Sequence, residues 1–189
     1  MLGAINEDRQ PVERTRPGGV REFCRPRESS LSASGEIIEV RLRPAIGEAV
    51  EKAAASLDFT GTRALRVLLH AGVSALWPLI KAAPHRQICT YESTVAALRR
   101  RWDRLPDTVP DPVCAALFEE LDAEVAAFLE LCAARSGAQW LEPVEAIAAY
   151  SVAVMQGTVL RWLADCNDET TLVVLDDLVS TVTTKAIDT

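Results

Sequence analysis

Residues 142–165 read EPVEAIAAYSVAVMQGTVLRWLAD, and this stretch decides the fold. No charged side chain occurs from Ala146 to Leu160. The apolar residues fall on nearly every side of a helix, and a helix without a polar face is covered on two sides, within its domain or between subunits. The stretch therefore predicts a buried central helix carrying Val144, Ile147, Tyr150, Val152, Val154, Met155, Val159, Leu160, Trp162 and Leu163.

The composition of the whole chain agrees with a helical fold. The chain has 189 residues, which is enough for one domain with a core of its own. Hydrophobic residues make up 49% of it and aromatic residues only 5%, so the core is built mainly from Ala, Leu and Val. Small and straight side chains of this kind favour helices and fill helix bundles. We therefore expect an all-α helical bundle.

The other helices are predicted from apolar residues that recur every three or four positions. The first spans residues 36–56, with Pro44 as a kink or restart, and the third spans residues 85–103. Thr60 is the expected cap of the second helix, in which Pro78 disturbs the last turn. The remaining expected boundaries are Asp111-Pro112 and Ser136-Gly137 at the two ends of the fourth helix, and Asn167 or Asp168 at the start of the sixth.

Two segments differ from this pattern. Residues 1–35 contain prolines that interrupt every possible helix, so we expect an irregular or disordered segment there and a helical domain over residues 36–189. Residues 105–112 contain three prolines and predict a loop.

Charge and cysteine content bear on the class of protein. The formal net charge is −7, which argues against nucleic-acid binding because phosphates repel an acidic chain. The five cysteines include no C-x-x-C pair, so we expect reduced thiols and no metal site. No signal peptide is visible and residues 146–160 are too short to span a bilayer, so we expect a cytoplasmic protein without membrane contact.

Motifs for catalysis are absent from the sequence. It contains neither a G-x-S-x-G elbow nor a Walker loop nor a G-x-G-x-x-G fingerprint, and only two histidines, His70 and His85. We expect neither catalytic residues nor a cofactor. The one dense basic run, residues 99–104, leaves two interpretations open: it binds an acidic ligand or phosphates, or it is the solvated end of a helix, where cations suit the dipole.

Two segments carry a resemblance to a known family. Residues 152–165 read VAVMQGTVLRWLAD and precede a capped acidic helix, and residues 77–79 and 86–92 read WPL and RQICTYE. Because of these segments, residues 37–185 resemble the effector-binding domain of tetracycline-repressor (TetR) family regulators. The resemblance implies a ligand-responsive transcriptional regulator that binds a small apolar or amphipathic effector and forms a homodimer.

The chain departs from that family at its N-terminus. A TetR regulator begins with a helix-turn-helix of three helices, which residues 1–35 do not provide. The N-terminus is then truncated or out of frame, or the chain is a stand-alone effector domain, and the sequence leaves both open. In either case we expect no specific binding of duplex DNA by this chain.

Candidate site residues follow from the helical pattern. The positions predicted to line a pocket in the bundle core are Leu69, Val73, Tyr91, Thr94, Leu98, Phe118, Leu121, Val125 and Met155. The fifth and sixth helices carry more apolar surface than a small monomer is expected to bury, which predicts a two-fold dimer. Its predicted interface consists of Ile147, Tyr150, Val154, Thr158, Val159, Trp162, Leu175, Leu178, Val179 and Val182.

Two functions from different classes therefore stay open. One is the ligand-responsive, dimeric regulator domain. The other is a helical interaction module that senses nothing and pairs with itself or with a full-length regulator. An enclosed apolar cavity between the second and fifth helices distinguishes the first from the second.

Overall fold

A computed structural model describes residues 44–104 and 110–188, and over these residues the chain is a bundle of six helices with one small sheet. The all-α fold is thus confirmed. The predicted irregular segment 1–35, the start of the first helix and most of the predicted loop 105–112 lie outside the described residues. The elements are α1 over residues 44–54, α2 Thr62–Lys81, α3 Pro84–Arg104, α4 Pro112–Ser136, β1 Ala138–Trp140, α5 Val144–Asp165, α6 Asp168–Thr183 and β2 Ala186–Asp188.

Helix α5 packs between α4 and α6, but the burial predicted for residues 142–165 is found on one side only, because Tyr150 and Leu160 on the outward side are exposed. Its inner side meets α2, α4 and α6 in one core, in which Leu65, Leu129, Ile147 and Val179 are almost fully buried. At the crossing of α2 and α4, Gly72 faces the ring of Phe128 so closely that an added Cβ would overlap it.

A second, smaller apolar cluster joins the far end of α2 to α5 and α6. Its centre is the pair Trp77 and Trp162, whose rings meet edge to face at a centroid distance of 5.4 Å. Ile80, Val159 and Leu175 complete it. Such aromatic pairs add about 0.5–1.5 kcal/mol beyond the area they bury.

Local capping signals place the predicted ends of α4 and α6 correctly. The Asp111 carboxylate accepts a hydrogen bond from the Val113 N–H at 2.9 Å, and Asn167 accepts one from the Thr170 N–H at 3.0 Å. Helix α4 ends at Ser136, and Gly137 follows with a φ of 72°, a left-handed conformation that suits glycine.

The start of α2 differs from the prediction. Its N-cap is Gly61 rather than Thr60, and its first N–H is capped from far along the chain: the Asp188 carboxylate accepts a hydrogen bond from the Thr62 N–H at 2.5 Å. The helix also continues through Pro78 to Lys81, so the predicted disturbance does not end it.

Two unpredicted strands bring Asp188 to this position. β1 and β2 pair antiparallel, with Ala138 opposite Asp188 and Trp140 opposite Ala186. Three-residue strands are too short to show an alternating pattern in the sequence, which explains why the helical periodicity did not predict them.

Two helices meet the length and composition of a membrane span. These are Thr62–Lys81 and Val144–Asp165, and core helices of globular proteins meet the same criterion. Both supply residues to the apolar core of the bundle. The expected cytoplasmic location stays a prediction.

Candidate binding surfaces on helix α5

The residues predicted to line a core pocket are not gathered around a cavity. Leu69 is buried, and Val73, Val125 and Met155 pack against the core that it helps to form. Thr94 donates a hydrogen bond to the Thr90 carbonyl of its own helix. Leu98 is exposed, and Phe118 and Leu121 are half-buried on α4. Tyr91 alone among the nine lines one of the two grooves described below.

The residues predicted for a dimer interface lie mostly on the inner sides of their helices. Eight of the ten belong to the buried interior of their own chain: Ile147, Thr158, Val159, Trp162, Leu175, Leu178, Val179 and Val182. Seven of the eight belong to the apolar clusters that α5 and α6 form with α2 and α4, whereas Thr158 lies between α5 and α6 beside an open groove. Val154 is half-buried, and only Tyr150 is exposed, at 41%.

The outward side of α5 is apolar and exposed. We call Ala146, Tyr150, Ala153, Gly157, Leu160 and Ala164 the α5 stripe. They recur at alternating steps of four and three residues, which keeps them on one side of the helix, and all six are exposed. Leu160 is 55% exposed. An exposed helix side normally carries charged residues, and none occurs in this stripe.

A groove of about 260 Å³ lies on the α6 side of the stripe. Ala153, Gly157 and Arg161 of α5 face Thr170 and Val174 of α6 across it. It is open to solvent rather than enclosed.

A larger open groove, of about 840 Å³, lies on the α3 side. We call it the α3–α5 groove. Helix α5 contributes Leu160, Leu163 and Ala164 to it. Helix α3 contributes the residues of one side, at three- and four-residue steps: Ile88, Tyr91, Glu92, Val95, Ala96, Arg99 and Arg100.

A hydrogen bond from Tyr91 fixes α3 against α5 at this groove. The Tyr91 hydroxyl donates to the Gln156 carbonyl at 2.6 Å. Burial raises the pKa of Tyr91, while a hydrogen bond with the Leu160 backbone works in the opposite direction. The hydroxyl is therefore protonated at neutral pH and acts as a donor.

Asp168 ties the start of α6 to its neighbours. Its carboxylate accepts a hydrogen bond from Trp162 Nε1 at 2.9 Å and forms an ion pair with Lys81 at the end of α2. The Lys81 hydrogen bond and charge, together with the Trp162 N–H, hold the pKa of Asp168 below its ordinary value. As the first residue of α6, this carboxylate also suits the helix dipole.

His70 forms a surface ion-pair group rather than part of a pocket. Its Nε2 lies 3.0 Å from Asp176 Oδ1, and the Arg66 guanidinium lies 3.8 Å from the same oxygen. Arg66 also donates to Ser180 Oγ at 3.1 Å. The side chains of Arg66, His70 and Asp176 are each more than a third exposed, so these contacts link α2 to α6 only weakly.

Within residues 44–104 and 110–188, no three His, Cys, Asp or Glu side chains are grouped to hold a metal ion. Burial raises the pKa of Cys132 to about 12, so this thiol is a poor nucleophile.

Comparison with known proteins gives no match: no family model fits the chain, and neither a curated protein nor a solved structure is similar to it. The resemblance to TetR-family regulators therefore stays a prediction from the sequence.

Proposed function

We propose that this chain is a helical self-association domain, of the kind that pairs the subunits of a TetR-like regulator, and that the α5 stripe is its pairing surface. The proposal is carried by six exposed, uncharged positions in a row on α5, flanked by the ion pair of Arg161 and Asp165, on a chain that is 25% charged. A contiguous exposed apolar surface on a globular protein marks an interaction site.

The α5 stripe favours a second copy of the same chain as the partner. Its middle consists of the small residues Ala153 and Gly157, and the larger Tyr150 and Leu160 lie on either side. When two such helices cross at their small residues, the larger side chains of each copy fall outside the crossing and pack against the other copy. A two-fold axis requires this self-complementary arrangement.

The groove between α5 and α6 supports the same partner. Val154 and Val174 line it and are half-buried, so a helix that crosses the stripe covers them as well. The resemblance to TetR effector domains, which dimerise through their last two long helices, agrees with this surface. Sensing of a small molecule is not part of this proposal, because four of the nine predicted pocket residues, Leu69, Val73, Val125 and Met155, pack in the core and the others are not gathered around a cavity with them.

Sedimentation equilibrium at micromolar concentration tests the proposal. The wild-type protein is expected at about twice 20.6 kDa. Gly157→Leu is expected to shift the mass to that of a monomer, because a Cβ at this position meets nothing within 4 Å in the subunit but would block close approach of a second helix.

Gly47→Leu is the matched control. Gly47 also lies in a helix with open space around its Cβ position, but far along the sequence from the stripe. This variant is expected to stay dimeric. A wild-type monomer, or an unchanged dimer in Gly157→Leu, would contradict the proposal.

A further inference from the structure

The α3–α5 groove combines an apolar length with a positive end. Ile88, Tyr91 and Val95 form the apolar part on α3, and Leu160 and Leu163 form it on α5. The arginines at positions 99 and 100 follow at the C-terminal end of the same side of α3. At about 1.5 Å per residue, Ile88 and Arg99 lie about 16 Å apart along the helix.

The two arginines are available to a ligand. Both are exposed, and among the residues that the structure describes neither Arg99 nor Arg100 has a carboxylate within ion-pair distance. Glu92 is the one acid that lines the groove, and it lies about two helical turns from Arg99. The negative charge of Glu92 thus lies within the apolar length, between Tyr91 and Val95, and both positive charges lie at the C-terminal end of the groove.

We propose that the α3–α5 groove binds a small amphipathic anion, a carboxylate with an unbranched alkyl tail. The tail lies along Ile88, Val95 and Leu163, and the carboxylate pairs with Arg99 and Arg100, whose guanidinium groups suit carboxylates. The volume of about 840 Å³ falls within the range of roughly 300–1,000 Å³ for small-molecule sites.

Charge distinguishes this ligand from a second copy of the chain. A copy that placed its own α5 stripe in the groove would bring an uncharged surface to Arg99 and Arg100 and leave both unpaired. The α3–α5 groove shares Leu160 and Ala164 with the α5 stripe, whereas the groove between α5 and α6 lies on the other side of the stripe. The proposal goes beyond self-association because it assigns a ligand to the α3 side.

Titration calorimetry with decanoate, below its micelle concentration, tests the proposal. The wild-type protein is expected to bind one decanoate per chain, and to bind decanol and decyltrimethylammonium at least about tenfold more weakly, since a charge-assisted contact contributes on this scale. Arg99→Gln combined with Arg100→Gln is expected to lower the affinity for decanoate about tenfold.

Two further variants separate a site from a general charge effect. Arg63→Gln combined with Arg135→Gln removes the same charge from exposed arginines elsewhere and is expected to leave the affinity unchanged. Val95→Asn, at a position 47% exposed and so tolerant of substitution, is expected to weaken decanoate and decanol alike. Circular dichroism of each variant confirms folding.

Several results would overturn the proposal. The first is that decanoate does not bind saturably, and the second is that decanol and decanoate bind with equal affinity. The third is that both double-arginine variants lose the same affinity for decanoate. Binding to phosphatidylglycerol vesicles without binding to decanoate would assign the surface to a membrane instead. Binding of decanoate to Gly157→Leu but not to the wild type would mean that a second copy fills the groove. A wild-type monomer that still binds decanoate would contradict the proposed self-association but not the ligand site.

Discussion

Gly72 shows how one side chain limits the packing of two helices. The Phe128 ring of α4 occupies the space that a Cβ of residue 72 would need, whereas the corresponding space at Gly47 in α1 is open. Gly72→Ala is expected to lower the free energy of unfolding by about 1–3 kcal/mol, as other overpacked core positions do. Gly47→Ala is expected to raise it by up to about 1 kcal/mol through helix propensity.

Urea denaturation of both variants measures this difference. Equal effects of the two substitutions would mean that Phe128 moves aside without cost, and would contradict the close packing of α2 on α4.

Asp168 and Asp188 make stability depend on pH in the acid range. Hydrogen bonds from Lys81 hold the pKa of Asp168 below its ordinary value, and those from Thr62 do the same for Asp188. Because the folded state lowers both pKa values, their contribution is fully present above the ordinary Asp pKa of about 3.9 and is lost as the pH falls through the lowered values.

We therefore expect the free energy of unfolding to fall below about pH 4, and to fall less steeply in a variant with Asp168→Asn and Asp188→Asn. Urea titrations from pH 7 to pH 2 measure both slopes. Slopes that are identical in the wild type and the double variant would contradict the assignment.

At the scale of elements, the C-terminal strand holds the start of α2 in place. Ala186 is buried in the core, and Asp188 caps α2 through the Thr62 N–H. Asp188→Ala is expected to speed hydrogen exchange of the Thr62 amide, because this N–H loses its acceptor.

Ile187→Ala is the control on the same strand, since Ile187 is 46% exposed and its backbone pairs with Gln139 without the side chain. Exchange should stay slow in this variant. Equal exchange rates in the two variants would mean that the strand pairing, and not the carboxylate, protects α2.

The helices were predictable from sequence because their signals are local. Asp111 and Asn167 cap residues two and three positions ahead, and the apolar positions recur within each helix. The cap of α2 was not predictable, because Asp188 and Thr62 are 126 residues apart. Such a contact depends on how the whole chain folds.

The candidate surfaces were only partly predictable for a related reason. A helix that is apolar all round does not indicate which side its own domain covers. In α5 the polar Ser151 and Thr158 are buried and donate to backbone carbonyls of their own helix, while Leu160 is 55% exposed. Packing against α4 and α6 decides which side of α5 is covered, so most of the α5 residues predicted for an interface lie on its inner side.

At the scale of the whole molecule, the proposed self-association requires two copies of the chain to meet at the middle of α5. In a background with the native cysteines replaced by serine or alanine, Ala153→Cys places a thiol at the centre of the α5 stripe. Leu172→Cys places one on the side of α6 that carries Asp176, which pairs with α2, and Leu172 is as exposed as Leu160, at 55%.

Mild oxidation followed by non-reducing electrophoresis is the most direct measurement. Pairing through the α5 stripe predicts a disulfide-linked dimer for Ala153→Cys at micromolar concentration, and little or none for Leu172→Cys, since a two-fold axis at the stripe brings only the first pair of thiols together. No cross-link at position 153, or equal cross-linking at both positions, would contradict pairing through α5.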